Sequence, residues 1–308
     1  MNLLWRSLLL RCLVLLGSWF STTPLFAASQ PREIRIDWAT YNPVSILLKD
    51  RGWLEKEFAK DGIAVRWVET FGSNKALEFL NASSIDFGST AGAAALMDRL
   101  NGSPIKSIYV YSKPEWTALV TRKDTDIKTV ADLKAKRVAV TRGTDPHIFL
   151  VRALQTAGLR ERDIRPVLLQ HPDGATALMR GDVDAWAGLD PMMAQAELRD
   201  GARLFYRNAD ANTYGILNVR EDFARDYPDL VKRVVAVYEA GRTFALAHED
   251  AVEESFIAPP SCRKTWCRSN CANAPIFPTV KSAKGSAMLF LAQASHSSRP
   301  ASSNRTST

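Results

Sequence analysis

Between residues 29 and 254 short apolar runs alternate with amphipathic stretches. Residues 34–38 (Ile-Arg-Ile-Asp-Trp) read as a strand, and residues 43–58 place Val44, Leu47, Leu48 and Leu54 on one side of a helix. Strands predicted over 65–68, 85–88 and 108–111 alternate with helices over 74–80 and 91–100. After the apolar stretch 116–121 the unit restarts: strands over 138–141, 167–169 and 185–189 lead into helices over 146–157, 175–180 and 191–200. A third passage takes a strand at 214–219 to a helix over 230–247. Alternating strands and helices imply largely parallel sheets covered on both faces, so the fold class is α/β, in two lobes.

Helix starts recur at the ends of these strands. Asn42-Pro43, Asp145-Pro146 and Asp190-Pro191 each set a capping side chain before a proline, and Ser89-Thr90 does the same without one. In a parallel sheet such starts gather at the carboxyl edge, where free N–H groups and helix dipoles favour an anion.

The two ends differ from this body. Arg6 and Arg11, an apolar run over 12–20, Pro24 and then Phe26-Ala27-Ala28 follow the order of a secretory signal peptide, so residues 1–28 are expected to leave with cleavage near Ala27 or Ala28. The run is too short to span a bilayer, which needs about 20 residues. Residues 255–308 hold seven basic side chains, no acid, 15 Ser plus Thr, and Cys262, Cys267 and Cys271. That spacing without a nearby His fits no structural zinc site, and the sharp change of composition leads us to expect out-of-frame translation in this tail. The two ends together carry +9 and residues 29–254 come to −2, which gives the net +7, so nothing in the body calls for nucleic acid.

The body has no cysteine, no Gly-x-Gly-x-x-Gly, no phosphate loop and no His-Glu-x-x-His. Gly88-Ser-Thr-Ala-Gly92 has Thr90 where a nucleophile elbow needs serine, and His147, His171 and His248 are scattered. No metal, cofactor or covalent intermediate is expected.

Residues 77–90, 127–140, 143–147 with 150–154, and Asp182-Val-Asp-Ala-Trp-Ala-Gly-Leu-Asp-Pro191 resemble the periplasmic substrate-binding proteins of ABC importers for aliphatic sulfonates, a group related to nitrate and taurine binders. The likeness runs from about residue 34 to about residue 247. It implies a two-lobed periplasmic-binding-protein fold of type II kind, each lobe a mostly parallel sheet flanked by helices, with the ligand cleft between lobes. The first lobe would comprise residues 29–115 and 213–254 and the second residues 116–212, joined by crossovers near 112–118 and 208–216 that bend as hinges. It also implies that Ser89 and Thr90, and the helix start bearing Gly143, Thr144 and His147, face an anionic head group. Tyr41 and Asn42 join the candidate set at the first helix start, and Trp186 along the apolar part of the ligand. Asp190 completes it, with helix capping as its expected task.

The implied activity is non-enzymatic capture of a small alkanesulfonate or similar anion, delivered by a monomer in the periplasm to an inner-membrane ABC permease. Binding of nitrate, taurine or a pyrimidine thiamin precursor is the alternative, with an enzyme of the related pyrimidine-synthase type behind it. Two departures bear on the ligand. Asp145 brings a negative charge beside the expected anion site, and Gly215 stands where taurine binders align an Asp for the ligand amine, which argues against taurine itself.

Overall fold

The computed structural model describes residues 30–257; the readings made for residues 1–28 and for 258–308 lie outside them. The first half runs β1 (Glu33–Trp38), α1 (Pro43–Arg51), α2 (Trp53–Phe58), β2 (Ala64–Glu69), α3 (Ser73–Asn81), β3 (Phe87–Ala91), α4 (Gly92–Leu100) and β4 (Ile105–Ser112). The single helix expected over 43–58 is two, because Gly52 adopts the left-handed conformation (φ 62°) and its N–H closes α1 on the carbonyls of Leu48 and Lys49.

The second half runs β5 (Leu119–Thr121), β6 (Arg137–Val140), α5 (Asp145–Thr156), β7 (Arg165–Leu168), α6 (His171–Arg180), β8 (Ala185–Ala187), α7 (Met192–Asp200) and β9 (Arg203–Tyr206). The chain then returns through β10 (Gly215–Arg220) to α8 (Glu221–Asp226), α9 (Pro228–Ala247) and α10 (Glu249–Ile257).

Two sheets of five strands result, in the orders β2-β1-β3-β10-β4 and β7-β6-β8-β5-β9. Both follow one plan. Three neighbouring strands are parallel, and the fourth position holds a strand antiparallel to both its neighbours, β10 in the first sheet and β5 in the second. The chain is thus a two-lobed α/β protein. The chain crosses between sheets at residues 113–118 and 207–214. These two segments are tied to each other: Arg207 grips Glu115 through two bonds of 2.9 and 2.8 Å, and the Thr117 N–H donates to Asn212 Oδ1 at 3.0 Å.

The core sits between the sheets and their helices. Ile34, Ile36, Leu217 and Val219 of β1 and β10 pack against Val44, Leu47 and Leu48 of α1 and Val234 and Tyr238 of α9. In the second lobe Val138 and Val140 meet Phe149, Leu150 and Leu154 of α5, while Trp186, Leu178 and Met193 fill the opposite face. β9, α8 and α10 have no counterpart among the predicted elements. The change of composition at Ser255 falls inside α10, and Ser255 itself is buried with its hydroxyl donating to Asp50 Oδ2 at 2.7 Å.

α1 and α9 approach closely where Gly241 faces Val44 and Leu48; a Cβ on Gly241 would lie 2.6 Å from Leu48 Cδ2. Gly241→Val is therefore expected to destabilise the fold by about 2 kcal/mol through overpacking. Urea unfolding checks this, and a loss below about 0.5 kcal/mol would contradict the packing.

Candidate functional site

Where the carboxyl ends of the parallel strands meet the helix starts, a small cavity lies between the lobes. Tyr41, Ser73 and Ala91 line it from the first lobe, Trp116 from the first crossing segment, and Thr144, Asp145, Pro146 and Leu189 from the second lobe. Tyr41 and Trp116 meet edge to face, with ring centroids 6.2 Å apart. Ser73 opens α3; the Lys75 and Ala76 N–H groups go to the Gly72 carbonyl at 3.0 and 3.2 Å, and those of Ser73 and Asn74 have no acceptor within the helix. Its Oγ accepts from the Ala91 N–H at 2.9 Å and keeps its own proton to donate.

Of the residues expected from sequence, Tyr41 and Thr144 are on this wall. Asn42, Ser89 and Thr90 lie in a fully buried layer beneath it. Asn42 Oδ1 accepts from the Ser45 N–H at 3.2 Å, capping α1, while its Nδ2 donates to Ser89 Oγ at 2.7 Å. Ser89 spends both its N–H and its hydroxyl on Asp37 Oδ1, at 2.9 and 2.8 Å. Thr90 Oγ1 accepts from Asn218 Nδ2 at 2.7 Å, and Tyr41 donates its hydroxyl to the Ser89 carbonyl at 2.9 Å. The Ser89-Thr90 pair thus shapes the wall from behind rather than presenting hydroxyls to a ligand.

The others sit elsewhere. Gly143, with φ 77°, turns the chain into Thr144, whose hydroxyl donates to the Thr141 carbonyl at 2.6 Å. His147 Nε2 faces Glu161 at 3.4 Å, beside Arg142 on the same carboxylate, and does not reach the cavity wall. Trp186, expected along the apolar part of a ligand, is core instead: its ring packs with Val120, Ala139, Leu178 and Met193. Asp190 Oδ1 accepts from the Ala194 N–H at 3.0 Å and so caps α7. Ser73 and Trp116 were not expected on the wall. Only the Gly72-Ser73 step before a helix marks the first in sequence, and the second lies in a crossing segment that has no periodic pattern.

Two carboxylates set the electrostatics. Asp145, at the first turn of α5, is 2 % exposed. Its Oδ2 accepts from Trp116 Nε1 at 2.7 Å and the Thr213 N–H at 2.9 Å, and its Oδ1 from the Thr213 hydroxyl at 2.8 Å. Burial pushes its carboxyl above the usual range against those bonds. Thr213 Oγ1 also accepts from the Ala93 N–H of α4 at 3.2 Å, so the contacts run from one lobe to the other. Asp37 accepts further from the Thr70 hydroxyl at 2.9 Å, and burial outweighs its three bonds to push its carboxyl up to about 6. At the lobe boundary, Asn74 Nδ2 meets Gln170 Oε1 at 3.5 Å, and neighbouring His171 is fully buried, which pushes its imidazole down to about 3 and keeps it neutral.

Gly215 opens β10 tightly against the Tyr111 ring and Ser112 Oγ, leaving no room for a side chain. Among the described residues no three His, Cys, Asp or Glu come together as a metal site, and no helix is long and apolar enough to cross a membrane.

Comparison with known proteins shows the family and the fold. The family model described as NMT1/THI5 like matches residues 46–252. A protein of Escherichia coli (strain K12) named as an aliphatic sulfonates-binding protein is 36% identical over 196 residues, covering 63% of this chain and 61% of that relative. The chain therefore spans less than two thirds of that relative's length. A Bacillus subtilis (strain 168) protein of the same name is 28% identical over 230 residues, 74% of this chain and 69% of that one. Among solved structures, the alkanesulfonate-binding protein SsuA from Xanthomonas axonopodis pv. citri bound to MOPS superposes with a TM-score of 0.70 at 26% identity, covering 87% of this chain and 92% of that one.

Asp37 gives a pH signature. Its carboxyl stands at about 6 when folded against 3.8 as the ordinary value, so between these the folded chain holds a proton that the unfolded chain releases. Stability from this group rises as pH falls from about 6 towards 3.8 and is lost above. Lowering pH from 7 to about 4.5 should therefore stabilise the wild type relative to Asp37→Asn by about 2 kcal/mol in urea melts. Parallel pH profiles would contradict it.

Proposed function

This chain belongs to the NMT1/THI5-like family, and from that premise we propose that it is a non-enzymatic solute-binding protein that captures a small aliphatic sulfonate or similar organic anion for an ABC importer. The observation that carries this reading is the interlobe cavity, where the Ser73 hydroxyl and the first turn of α3 offer donors beside the aromatic walls of Tyr41 and Trp116. A sulfonate stays ionised at any physiological pH. It can be held by neutral N–H and O–H donors and a helix dipole without a full countercharge, and its alkyl part can lie on the aromatic rings.

Within this reading the lobes comprise residues 29–115 with 213–254, and 116–212. They close about the two crossing segments, a hinge motion in which Tyr41 and Ser73 on one side approach Thr144 on the other. Asn42, Ser89 and Thr90 hold the first wall in shape. The protein acts as a monomer in the periplasm, exported by residues 1–28, and presents both lobes to an inner-membrane permease. The naming of the relatives for aliphatic sulfonates, and the periplasmic location stated for the SsuA protein of Escherichia coli, support this assignment.

Ligand that binds only the folded state stabilises it by mass action, by about 2.7 kcal/mol at a hundred times Kd, and so raises the melting midpoint. The mature chain should melt cooperatively, with a midpoint that climbs in millimolar alkanesulfonate and stays fixed in equal nitrate. A midpoint that no sulfonate moves would refute the proposal.

A further inference from the structure

We propose that His171 is a positioning residue for capture: its neutral imidazole seats the start of α3 across the lobe boundary, and protonation of that imidazole parts the lobes, so the protein holds its anion in neutral solution and releases it in acid. The inference rests on the sulfonate reading and adds to it a residue that stands outside the cavity wall.

His171 opens α6 in the second lobe and is fully buried. The Thr141 hydroxyl donates to the Leu169 carbonyl at 2.7 Å, so its Oγ1 accepts from His171 Nδ1 at 3.2 Å and the imidazole carries its proton there. Nε2 is then a bare acceptor without a partner. It faces Gly72 of the first lobe, where an added Cβ would lie 3.2 Å from both Nε2 and Cδ2 of the ring. Asn74 makes the other half of the contact: its Nδ2 reaches Gln170 Oε1 at 3.5 Å, and a Cβ on Gly143 would lie 3.6 Å from Asn74 Cβ. Gly72 and Asn74 flank Ser73, and Gly143 precedes Thr144, so on each side this contact is next in the chain to a residue of the cavity wall.

A proton on Nε2 would put a charge into that contact with no acceptor at hydrogen-bond distance. Burial alone acts on the imidazole and holds it neutral down to about 3. The charged residues of the surrounding elements are engaged elsewhere or turned to solvent. On α3, Lys75 pairs with Glu78 at 2.6 Å; after β6, Arg142 pairs with Glu161 at 3.1 Å; at the starts of β6 and β8, Arg137 pairs with Asp184 at 3.2 Å. Asp145 of α5 accepts from Trp116 and Thr213, and Asp173, Arg180, Glu197 and Arg199 of α6 and α7 are exposed. When the lobes part, Gly72 and Asn74 withdraw, water reaches Nε2, and the imidazole returns to its ordinary value of 6.5. Below that pH the open form takes up a proton that the closed form refuses, so affinity falls as pH falls. The direction is diagnostic, because an anion bound beside Asp145, whose carboxyl already stands above the usual range, would instead draw protons in and bind more tightly in acid.

Calorimetric titration of the full mature chain with propane-1-sulfonate, which stays ionised throughout, should give a Kd about tenfold weaker at pH 5.5 than at pH 7.5, the ratio for one imidazole that titrates in the open form only. At pH 5.5, heats in buffers of different ionisation enthalpy should show close to one proton released on binding. In His171→Asn, whose amide can still donate to Thr141 Oγ1, the Kd should change less than about twofold over the same range, with no proton released. A wild-type Kd that holds steady or tightens in acid, proton uptake in place of release, or a His171→Asn variant that keeps the wild-type profile would each overturn the inference while leaving the sulfonate reading intact. If propane-1-sulfonate binds at neither pH, the sulfonate reading itself fails, and the inference with it. Should His171→Asn not melt cooperatively, the sign of proton exchange in the wild type still decides.

Discussion

The carboxylate of Asp145 is where the second lobe and both crossing segments meet. Trp116 belongs to the first crossing and Thr213 to the second, and both donate to it, while Thr213 in turn receives the Ala93 N–H from the first lobe. Three chain segments distant in sequence are thereby fixed around one buried charge, and the cavity opens directly beside it. Breaking such a set of bonds would leave donors and a carboxylate unsatisfied in a low-dielectric site, so the geometry of the cavity and its charge are tied together.

Behind the wall a second buried charge does comparable work within one lobe. Asp37 draws in the N–H and hydroxyl of Ser89 and the hydroxyl of Thr70; Ser89 in turn receives Asn42, and its carbonyl receives Tyr41. The ring of Tyr41 is therefore held from its far end, and it meets Trp116 edge to face. The helix starts take different duties: α1 is capped by Asn42, the first N–H groups of α4 are consumed internally, α5 is covered by Asp145, and α3 faces the cavity with Ser73.

Much of the fold is legible in the sequence, because β1 and α9 show apolar periods, β6 is a short unbroken apolar run, and Asn42-Pro43 marks the start of α1. What is not legible has local causes. β9 is four half-buried residues and α8 six, too short for a period to show, and α10 runs through the change of composition at Ser255. The site was harder to read than the fold. The direction of Thr90 is set by Asn218, 128 residues away on the antiparallel strand β10, and no nearby residue encodes that pairing. Trp186 has the same composition as a wall residue but its strand is central and covered on both faces. Trp116 is held at the wall by contacts with residues distant in sequence, Asp145 through its indole N–H and Tyr41 edge to face.

The central claim, that a sulfonate is held between the lobes by neutral donors, is tested most directly by a crystal structure of the mature chain with a sulfonate that raises its melting midpoint. The account predicts sulfonate oxygens within hydrogen-bond distance of Ser73 and the first turn of α3, with the organic part against Tyr41 and Trp116. A sulfonate bound outside the cavity, or held there by a lysine or arginine side chain, would contradict it.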